Sequence, residues 1–584
     1  MEDIAKTVGV GLLRAVFTSE YYPQYFAGKF TNEDNLRFSA QVLRFTQDEE
    51  WIVSMVAGGL PAGYSGNALT ELPGMIQRAI AKGYATPSAA RQGHKQSDKD
   101  EKSKKESLAS AVLRMLSEAD NINLSHDDSG RAILSIREDE KGEKHFYLNS
   151  SAAKSWLRGF VHRESAGLVV PTQQFTDILN GLEAKAIYDS PKKQVFLRTA
   201  RVDEGVVVNL ADEENRVVII NAEGYVLSQE SPALFITSRA IKPLPMPQSN
   251  GELLELQKLL GLSDGNFHRL LAFIINCLKP EGPYMFLLIE GEQGSGKSFL
   301  CLLIKQLIDP HQAPKLRLPA SEQDLMIQAK ENYLLAYDNI SGIRSDLSDA
   351  LCSLSTGGGF ATRKLYTDDE LQIFTESRPF ILNGITGVAS RPDLLERSIS
   401  LKLPTMPQGQ RKTEEDILKE FMEMRPRILG KLFEIVACGL KNALNTKTPT
   451  SVRMADSAKW IMAAEPATGL PEGTLIRALE SSQDEVITDS IANNTVAIAL
   501  VKCIEGKPFH GTVGELFDQM ENSLSRYSRD FPAGPPQLSR ALDRLRPALA
   551  KVGIGVEFCG KTKKGKMIRA WLEGQENEKP QKDF

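Results

Sequence analysis

The chain has 584 residues, too many for one hydrophobic core, and this length predicts roughly three to five domains. Its composition, 41% hydrophobic and 25% charged, is that of a globular protein, and 70 basic against 75 acidic residues give a net charge of −5. A surface that is basic all over is therefore excluded, and any nucleic-acid surface must be local.

The six cysteines lie far apart and form no CxxC pair, which argues against a zinc site and against a disulfide framework. No apolar run approaches the roughly 18 residues of a membrane helix. The acidic N-terminus lacks the basic segment and the long apolar core of a signal peptide. These observations favour a reducing, cytoplasmic compartment and no membrane partner.

The N-terminal part of the chain is predicted to contain a helical module, a linker and a strand-rich domain. In residues 1–91 apolar side chains recur at helical spacing, and a short helix is expected over residues 72–83. Residues 92–106 contain no apolar side chain and predict a solvated tether, although their lysines could touch DNA. Residues 107–245 combine helices with strand-like segments at hairpin spacing. We expect an α+β domain there, with a β-meander and a structural or protein-binding role.

A glycine-rich motif follows a helical connector over residues 246–282. Residues 291–298 read GEQGSGKS and fit the phosphate-binding pattern G-x-x-x-x-G-K-[ST]. An apolar strand is predicted before it, over residues 284–289, and an apolar helix after it, from Phe299. In such a loop, backbone N–H groups and the helix N-terminus face phosphate oxygens. The candidate nucleotide-binding residues are Gly291, Glu292, Gln293, Gly294, Ser295, Gly296, Lys297 and Ser298.

Two side chains of this motif have expected roles of their own. Lys297 can reach the β- and γ-phosphates, and Ser298 can ligate Mg²⁺. The alternative is a chance match in a Gly-rich turn, but both flanking elements have the type that the motif requires. We therefore expect ATP and Mg²⁺ as the cofactors of a nucleotide-hydrolysing enzyme.

An apolar run about forty residues after Lys297 ends in an acidic residue. Residues 333–339 read YLLAYDN, and Asp338 is placed to hold Mg²⁺ together with Ser298. The alternative is a buried strand capped by an exposed Asp. Asn339 follows, where many ATPases of this type carry a Glu that positions water. Because an amide accepts no proton, we expect slow hydrolysis, or the use of another carboxylate among Asp346, Asp349 and Glu292.

The next part of the chain completes a pattern that resembles a known family. A Gly/Thr-rich basic segment, residues 354–366, is followed by a strand over residues 378–383 that ends in Asn, and then by Arg391 and Arg397. In this order, after the glycine motif and the acidic strand, the chain resembles superfamily 3 helicases. Among these it looks closest to the primase-helicases of phages, plasmids and integrated elements that are related to the poxvirus type. The resemblance is strongest over residues 283–404, the expected ATPase core.

The resemblance implies a role in hydrolysis for three residues. Asn383 would contact the γ-phosphate or the attacking water. Arg397 would act as an arginine finger in the site of the neighbouring subunit, with Arg391 as a second candidate. The alternative for both arginines is a surface ion pair with Asp393 or Glu396. The resemblance also implies a homo-oligomeric ring, which we expect to be a hexamer.

The basic segment corresponds to the pore hairpin of the family. Arg363 and Lys364 would grip phosphates of one strand in the central channel, and Phe360 or Tyr366 could stack on bases. The alternative is a solvated hairpin with core aromatics. The N-terminal module resembles the piece that follows a primase domain in such proteins. No primase domain is expected here, because 91 residues without a suitable carboxylate cluster precede the linker.

The C-terminal part is predicted to contain a helical lid and a winged helix. Residues 405–505 have the helical periodicity expected of the lid of an AAA+ ATPase. In residues 506–574 two helices precede two strands joined by a basic turn, and residues 575–584 form a polar tail. The alternative is a winged helix used for protein contacts. The candidate DNA-contacting residues are Arg540, Arg544, Lys561, Lys563, Lys564 and Lys566.

Together these features predict an α/β P-loop core of the AAA+ type, with helical and α+β N-terminal domains and a C-terminal winged helix. The expected function is that of an ATP-dependent DNA helicase or translocase, with one strand in the ring and duplex DNA at the winged helix. It would serve the replication of mobile DNA, or defence against it, in a bacterial or phage-infected cell, with replication or defence proteins as partners. A nucleotide-gated assembly ATPase without unwinding activity and a purely structural nucleotide site are the alternatives.

Overall fold

The computed structural model describes residues 73, 74, 77 and 107–575, with gaps at 139–140, 166, 168, 204, 364–370, 375–376, 386, 390, 406–412 and 524–530, and it describes only the backbone of 360–363 and 371–374. The chain divides between Lys105 and Glu106 into two units. In the first unit the three described residues are helical and fall within the helix predicted over residues 72–83. The rest of the predicted helical module and the linker lie outside the described residues.

Residues 108–188 fold into an antiparallel sheet in the order β1-β2-β3, covered by helices that share one core with it. The elements are α1 (Leu108–Glu118), β1 (Ile122–His126), β2 (Ala132–Arg137), β3 (Glu143–Tyr147), α2 (Ser151–Glu164) and α3 (Thr172–Tyr188). The sequence patterns do not predict β1, β3 or α2. These elements are rich in polar residues, so the apolar period that would mark them is weak.

Residues 195–235 contain the predicted meander, whose strands β5 to β8 pair antiparallel with their neighbours, while β4 pairs parallel with β9. The strands are β4 (Val195–Phe196), β5 (Thr199–Val202), β6 (Gly205–Asn209), β7 (Val217–Asn221), β8 (Gly224–Ser228) and β9 (Leu234–Phe235). The single strand predicted over residues 195–199 is wrong. It is interrupted because Arg198 turns into the interior and donates to the Asp309 carboxylate at 3.1 Å.

A parallel sheet in the order β11-β14-β10-β15 forms the centre of the second unit. One of its faces shares a core with the helix after the glycine motif, and the other packs on two further helices. The elements are α4 (Leu253–Leu260), α5 (Asp264–Cys277), β10 (Phe286–Gly291), α6 (Lys297–Ile308), α7 (Glu322–Glu331), β11 (Leu335–Ile340), α8 (Ser345–Thr356), β12 (Phe360–Arg363), β13 (Leu371–Phe374), β14 (Phe380–Gly384), α9 (Pro392–Leu395) and β15 (Ser398–Leu403).

Three helices follow the central sheet: α10 (Glu414–Asn442), α11 (Ala455–Ala464) and α12 (Thr474–Ala492). The segment predicted as helical over residues 457–479 is interrupted by a 3-10 turn, Glu465–Thr468, and by Gly469 and Gly473 in left-handed conformations. Apolar residues of α10 and α11 lie in the same core as β6, β7 and α6. The meander and the helical region therefore pack around the central sheet as one body.

The last described elements form a core of their own: α13 (Thr495–Ile504), β16 (Phe509–Thr512), α14 (Val513–Ser523), α15 (Pro535–Lys551), β17 (Ile554–Thr562) and β18 (Gly565–Leu572). Their strands pair antiparallel in the order β16-β18-β17, and β16 is an element that the sequence patterns do not predict. In the described part of the chain, no helix has the length and apolar character needed to cross a membrane.

Candidate nucleotide-binding site

The glycine loop, residues 291–298, connects the end of β10 to the first turn of α6. Gly294 and Gly296 have φ angles of +82° and +84°, a region that residues with a Cβ rarely adopt. At Gly291 a Cβ would lie 2.6 Å from the carbonyl oxygen of Leu403 on the neighbouring strand. Glycine is thus required at three positions, which lets the backbone wrap around the N-terminus of α6.

The side chain of Lys297 lies over its own loop. Its Nζ donates to the carbonyl oxygen of Gly291 at 2.8 Å and to that of Glu292 at 2.7 Å, and it is 3.4 Å from Ser295 Oγ. The negatively charged phosphate groups of a nucleotide are stronger hydrogen-bond partners for an ammonium group than neutral carbonyl oxygens are. The loop therefore holds the lysine where a phosphate can take over these hydrogen bonds.

Asp338 joins two predicted site residues that are far from it in sequence. Ser298 Oγ donates to Asp338 Oδ1 at 2.7 Å, and Asn383 Nδ2 donates to the same oxygen at 2.7 Å. The three side chains come together because β14 lies between β11 and β10 in the sheet. All three strands end at the same edge. Asn383 is buried and also approaches Cys301 Sγ at 3.3 Å, while burial raises the pKa of the Cys301 thiol to about 12.

Asn339 lies beside this cluster in an unusual backbone conformation. Its φ is +57°, which Asn tolerates better than most residues. The pairing of β11 with β14 shifts between Tyr337 and Ile340, so Asn339 leaves the regular ladder and its side chain is exposed. Of the alternative carboxylates, Asp346 is engaged by Arg344 at 2.6 Å.

Lys315 is a site residue that the sequence patterns do not reveal. Its Nζ lies 3.6 Å from Asp338 Oδ2. The backbone around it adds a short segment to the edge of β11: Leu316 N donates to Ala336 O at 2.7 Å, and Asp338 N donates to Leu316 O at 3.0 Å. No sequence motif predicts a lysine at this place. Only the pairing of its segment with β11 shows that Lys315 belongs to the site.

A cavity of about 350 Å³ opens next to the glycine loop. Most of its walls are apolar side chains from the turn between α4 and α5, from the first turns of α6 and from the end of β15. The lining residues include Leu259, Leu262, Phe299, Leu300, Leu403 and Pro404. An apolar slot beside a phosphate-binding loop has the character expected for a flat heteroaromatic base.

Arg391 and Arg397 both contact α8 of the same chain. Arg391 binds the Asp349 carboxylate through two nitrogens, at 2.7 and 3.0 Å, and is 3.9 Å from Asp393. Arg397 donates to the backbone carbonyl of Asp393 and approaches Cys352 Sγ at 3.6 Å.

Of the ion pairs expected for these arginines, only the 3.9 Å contact of Arg391 with Asp393 is present among the described residues. Arg391 chiefly uses Asp349, and among the described residues no carboxylate pairs with Arg397. The Glu396 carboxylate binds Arg453, and the Asp393 carboxylate contacts both Arg453 and Arg391. The Nε atom of Arg397 is buried without a hydrogen-bond partner, so its guanidinium is incompletely satisfied.

The predicted DNA-contacting residues lie in two places. Arg363 is the last residue of β12, which pairs antiparallel with β13 directly after α8, and Lys364 lies outside the described residues. In the C-terminal elements, Lys566 Nζ lies 3.0 Å from Ser539 Oγ and 3.6 Å from the centre of the Phe558 ring. The other basic side chains of this surface are exposed: Arg540, Arg544, Lys561, Lys563 and Lys564.

The donors around Asp338 fit a magnesium nucleotide. A hydroxyl and a carboxylate oxygen are ligands that Mg²⁺ prefers, and it takes its remaining ligands from phosphate and water. Lys297 and the backbone N–H groups of the loop supply the positive partners for phosphate oxygens. Among the described residues, no group of three or more His, Cys, Asp and Glu side chains could hold a metal ion by itself. A metal at Asp338 would thus need ligands from the nucleotide.

Two family models match the chain. Residues 255–489 match the model described as the actinomycete integrative conjugative element replication protein, AICE RepA. Residues 496–577 match the model of the AICE RepA C-terminal domain. The first range contains the glycine loop and the cluster around Asp338, and the second contains the elements from β16 to β18. A search of curated proteins gives no significant match.

Solved structures resemble the chain at low sequence identity. The apo structure of the NrS-1 C-terminal region is 12% identical and has a TM-score of 0.37, over 79% of this chain and 98% of that chain. SCCmec type IV Cch, described as an active helicase, is 13% identical and has a TM-score of 0.43, over 77% of this chain and 93% of that chain. Such distant similarity assigns no chemistry. Over residues 255–489 and 496–577, this protein is similar to the replication proteins of actinomycete integrative conjugative elements.

Proposed function

We propose that this protein is an ATP-hydrolysing DNA translocase of the superfamily 3 type that unwinds DNA during replication of an integrative conjugative element. The observation that carries this proposal is the convergence of Ser298 and Asn383 on one oxygen of Asp338, next to Lys297. A hydroxyl, a carboxylate, an amide and an ammonium group at the end of a parallel sheet are the parts that phosphoryl transfer requires.

Each of these side chains then has one task. Lys297 and the loop N–H groups bind the phosphates, Ser298 and Asp338 hold the magnesium ion, and Asn383 orients the γ-phosphate or the water. The metal supplies charge neutralisation of the phosphoryl oxygens. The apolar cavity beside the loop holds the base. Asn339 is exposed next to Asp338, and its amide can orient water without accepting a proton.

The arginines support a site shared between subunits. The contacts of Arg391 and Arg397 are with α8 and its surroundings rather than with the glycine loop of the same chain. In a homohexameric ring either side chain can reach the neighbouring nucleotide and stabilise charge on the transferring phosphoryl group. Because α8 leads directly into β12, a change in the contacts of these arginines with α8 would move the strand that ends at Arg363.

DNA is proposed to bind at two surfaces. The β12–β13 hairpin would contact phosphates of one strand in the ring. The elements from α13 to β18 have the helix and strand order of a winged helix. Lys561 is exposed near the end of β17, and Lys563 and Lys564 are exposed on the turn between β17 and β18. Lysines on a turn contribute salt-sensitive, sequence-independent affinity for duplex DNA.

A second function is favoured by Asn339. Without a carboxylate at this position hydrolysis is expected to be slow, and Asp346 and Asp349 are held in ion pairs. ATP binding would then order the ring on DNA, and hydrolysis would release it, without strand separation.

The test of the nucleotide site is an ATPase assay with and without single-stranded DNA. The wild type is expected to hydrolyse ATP faster with DNA, and Lys297→Ala is expected to lose nucleotide binding. Lys447→Ala, a change at an exposed position, serves as the control and should retain the wild-type rate. Equal rates and equal ATP affinity for wild type and Lys297→Ala would overturn the proposal.

A further inference from the structure

Lys315 is the one side chain of the described site for which the proposed reaction gives no task. It belongs to no motif, yet its ammonium group lies 3.6 Å from Oδ2 of the Asp338 carboxylate. The other oxygen of Asp338 already accepts hydrogen bonds from Ser298 and Asn383. Each carboxylate oxygen therefore has its own partners, and the charged partner is Lys315.

The backbone next to Lys315 is held by hydrogen bonds to β11, while the Lys315 side chain is partly exposed to solvent. The hydrogen bonds of Leu316 with Ala336 and Asp338 hold the segment against β11. The Lys315 side chain is 41% exposed, whereas Asp338 is 19% exposed. An ammonium group on a long, solvated stem can leave the carboxylate without any movement of the main chain.

We propose that Lys315 is the counter-ion of Asp338 in the metal-free state and that a divalent cation must displace it. This inference rests on the proposed nucleotide site and concerns how that site takes up its metal. A nearby like charge disfavours a cation, so the tethered ammonium lowers the affinity of Asp338 and Ser298 for free Mg²⁺. Nucleotide phosphates add negative charge and ligands, so a divalent cation would replace the lysine more readily once a nucleotide is bound. Lys315 thereby makes metal uptake dependent on the nucleotide.

The test measures metal binding to the nucleotide-free protein. Mn²⁺ has an EPR signal that is lost on binding, and it prefers the same oxygen ligands as Mg²⁺. Lys315→Met should bind Mn²⁺ at least roughly fivefold more tightly than the wild type, because the competing charge is gone. Lys315→Arg keeps the charge and should bind as the wild type does. The double variant Lys315→Met with Asp338→Asn should lose the added affinity, which locates the metal at Asp338.

The outcomes separate this inference from the proposed function. If Lys315→Met binds Mn²⁺ no more tightly than the wild type, or if Lys315→Arg behaves like Lys315→Met, the counter-ion role is wrong. Binding of a fluorescent ATP analogue is measured on the same samples. If the wild type fails to bind the analogue, the proposed function fails, whereas the Mn²⁺ comparison still decides the role of Lys315. Circular dichroism melting of all variants shows whether they are folded.

Discussion

Asn383 Nδ2 lies 2.7 Å from Asp338 Oδ1, although 45 positions separate the two residues in the chain. The contact exists because β14 pairs with β11 in parallel, so both strands bring a polar residue to the same edge of the sheet. Asn383 is 1% exposed, and its amide therefore faces the site rather than solvent. A buried, oriented donor beside the carboxylate that we propose as a metal ligand is placed to act on a phosphoryl group.

Replacement of Asn383 by Ala is expected to lower kcat for ATP hydrolysis by roughly 10²-fold, the usual effect of removing one oriented donor. Affinity for the ATP analogue should change little, because the proposed phosphate-binding groups, Lys297 and the loop, are unchanged. Steady-state ATPase kinetics and a binding titration measure the two effects. An unchanged kcat would show that Asn383 has only a packing role.

Mixed subunits test the shared site. Arg397→Ala and Lys297→Ala are each expected to abolish most hydrolysis when alone, by about 10³-fold or more for the arginine. When the two variants are mixed and allowed to exchange, some interfaces combine an intact loop with an intact arginine, and partial activity should return. Arg453→Ala, which removes the partner of Glu396, is the control and should leave hydrolysis largely intact. Absence of recovery in verified mixed rings would contradict an arginine finger at Arg397.

A buried ionic cluster joins the meander to the central sheet. The Asp309 carboxylate binds Arg198 at 3.1 Å and Lys305 at 2.8 Å, and all three side chains are buried. Asp309→Asn is expected to lower the free energy of unfolding by about 3–5 kcal/mol, because it leaves buried cations without their partner. Chemical denaturation measures this. Glu434→Gln breaks a half-exposed pair with Lys431 and should show no comparable loss.

The same cluster predicts a sensitivity to acid. Burial alone would raise the pKa of Asp309, but Lys305 and Arg198 outweigh it and hold that pKa below its ordinary value of 3.8. A carboxylate with a depressed folded-state pKa contributes stability above its unfolded pKa and loses it as pH falls. Stability should therefore decline below about pH 4 in the wild type, and this decline should be smaller in Asp309→Asn.

His145 predicts a second pH effect, at milder pH. Burial lowers the pKa of His145 from 6.5 to about 4, against an opposing effect of Glu143 and with a smaller lowering by Lys193. Between pH 4 and pH 6.5 the unfolded chain binds more protons than the folded one. The free energy of unfolding therefore falls as pH is lowered from 6.5 to 4, by about 3 kcal/mol at most. His145→Gln should flatten this dependence, measured by amide hydrogen exchange of β3. An equally steep slope in the variant would show that another group titrates.

The basic turn predicts how duplex DNA binds. Lys563 and Lys564 are exposed between β17 and β18. Their joint replacement by Ala should weaken duplex binding similarly for all sequences and reduce the slope of log K against log salt by roughly one per lost phosphate contact. Glu472→Ala, at an exposed position outside this turn, is the control. An unchanged salt slope would favour a protein-binding role for this domain.

The parts of the site that local sequence predicts are those with strong local rules. The glycine loop needs positive φ at Gly294 and Gly296, and the strands before Asp338 and Asn383 are continuous apolar runs. Such features are visible in a few consecutive residues, and the elements around them lie within about two residues of the predicted bounds. The approach of Asn383 to Asp338 follows once the strands are known to be parallel.

Features that depend on distant neighbours could not be predicted in this way. Lys315 enters the site because its segment pairs with β11, and nothing in its own surroundings indicates that pairing. Helices α7 and α8 are a separate case, because their buried residues recur at helical spacing and local sequence could have predicted them. The main partner of Arg391 depends on how α8 packs, so sequence proximity indicated its 3.9 Å contact with Asp393 but not its closer pair with Asp349.

Strand displacement on a forked DNA duplex tests the central claim most directly. The account predicts that the wild type separates the strands only with ATP and Mg²⁺, and that Lys297→Ala, Asp338→Asn and Arg397→Ala do not. Lys447→Ala should unwind like the wild type. If the wild type hydrolyses ATP in a DNA-stimulated manner and leaves the fork intact, the helicase function is contradicted and nucleotide-gated assembly takes its place.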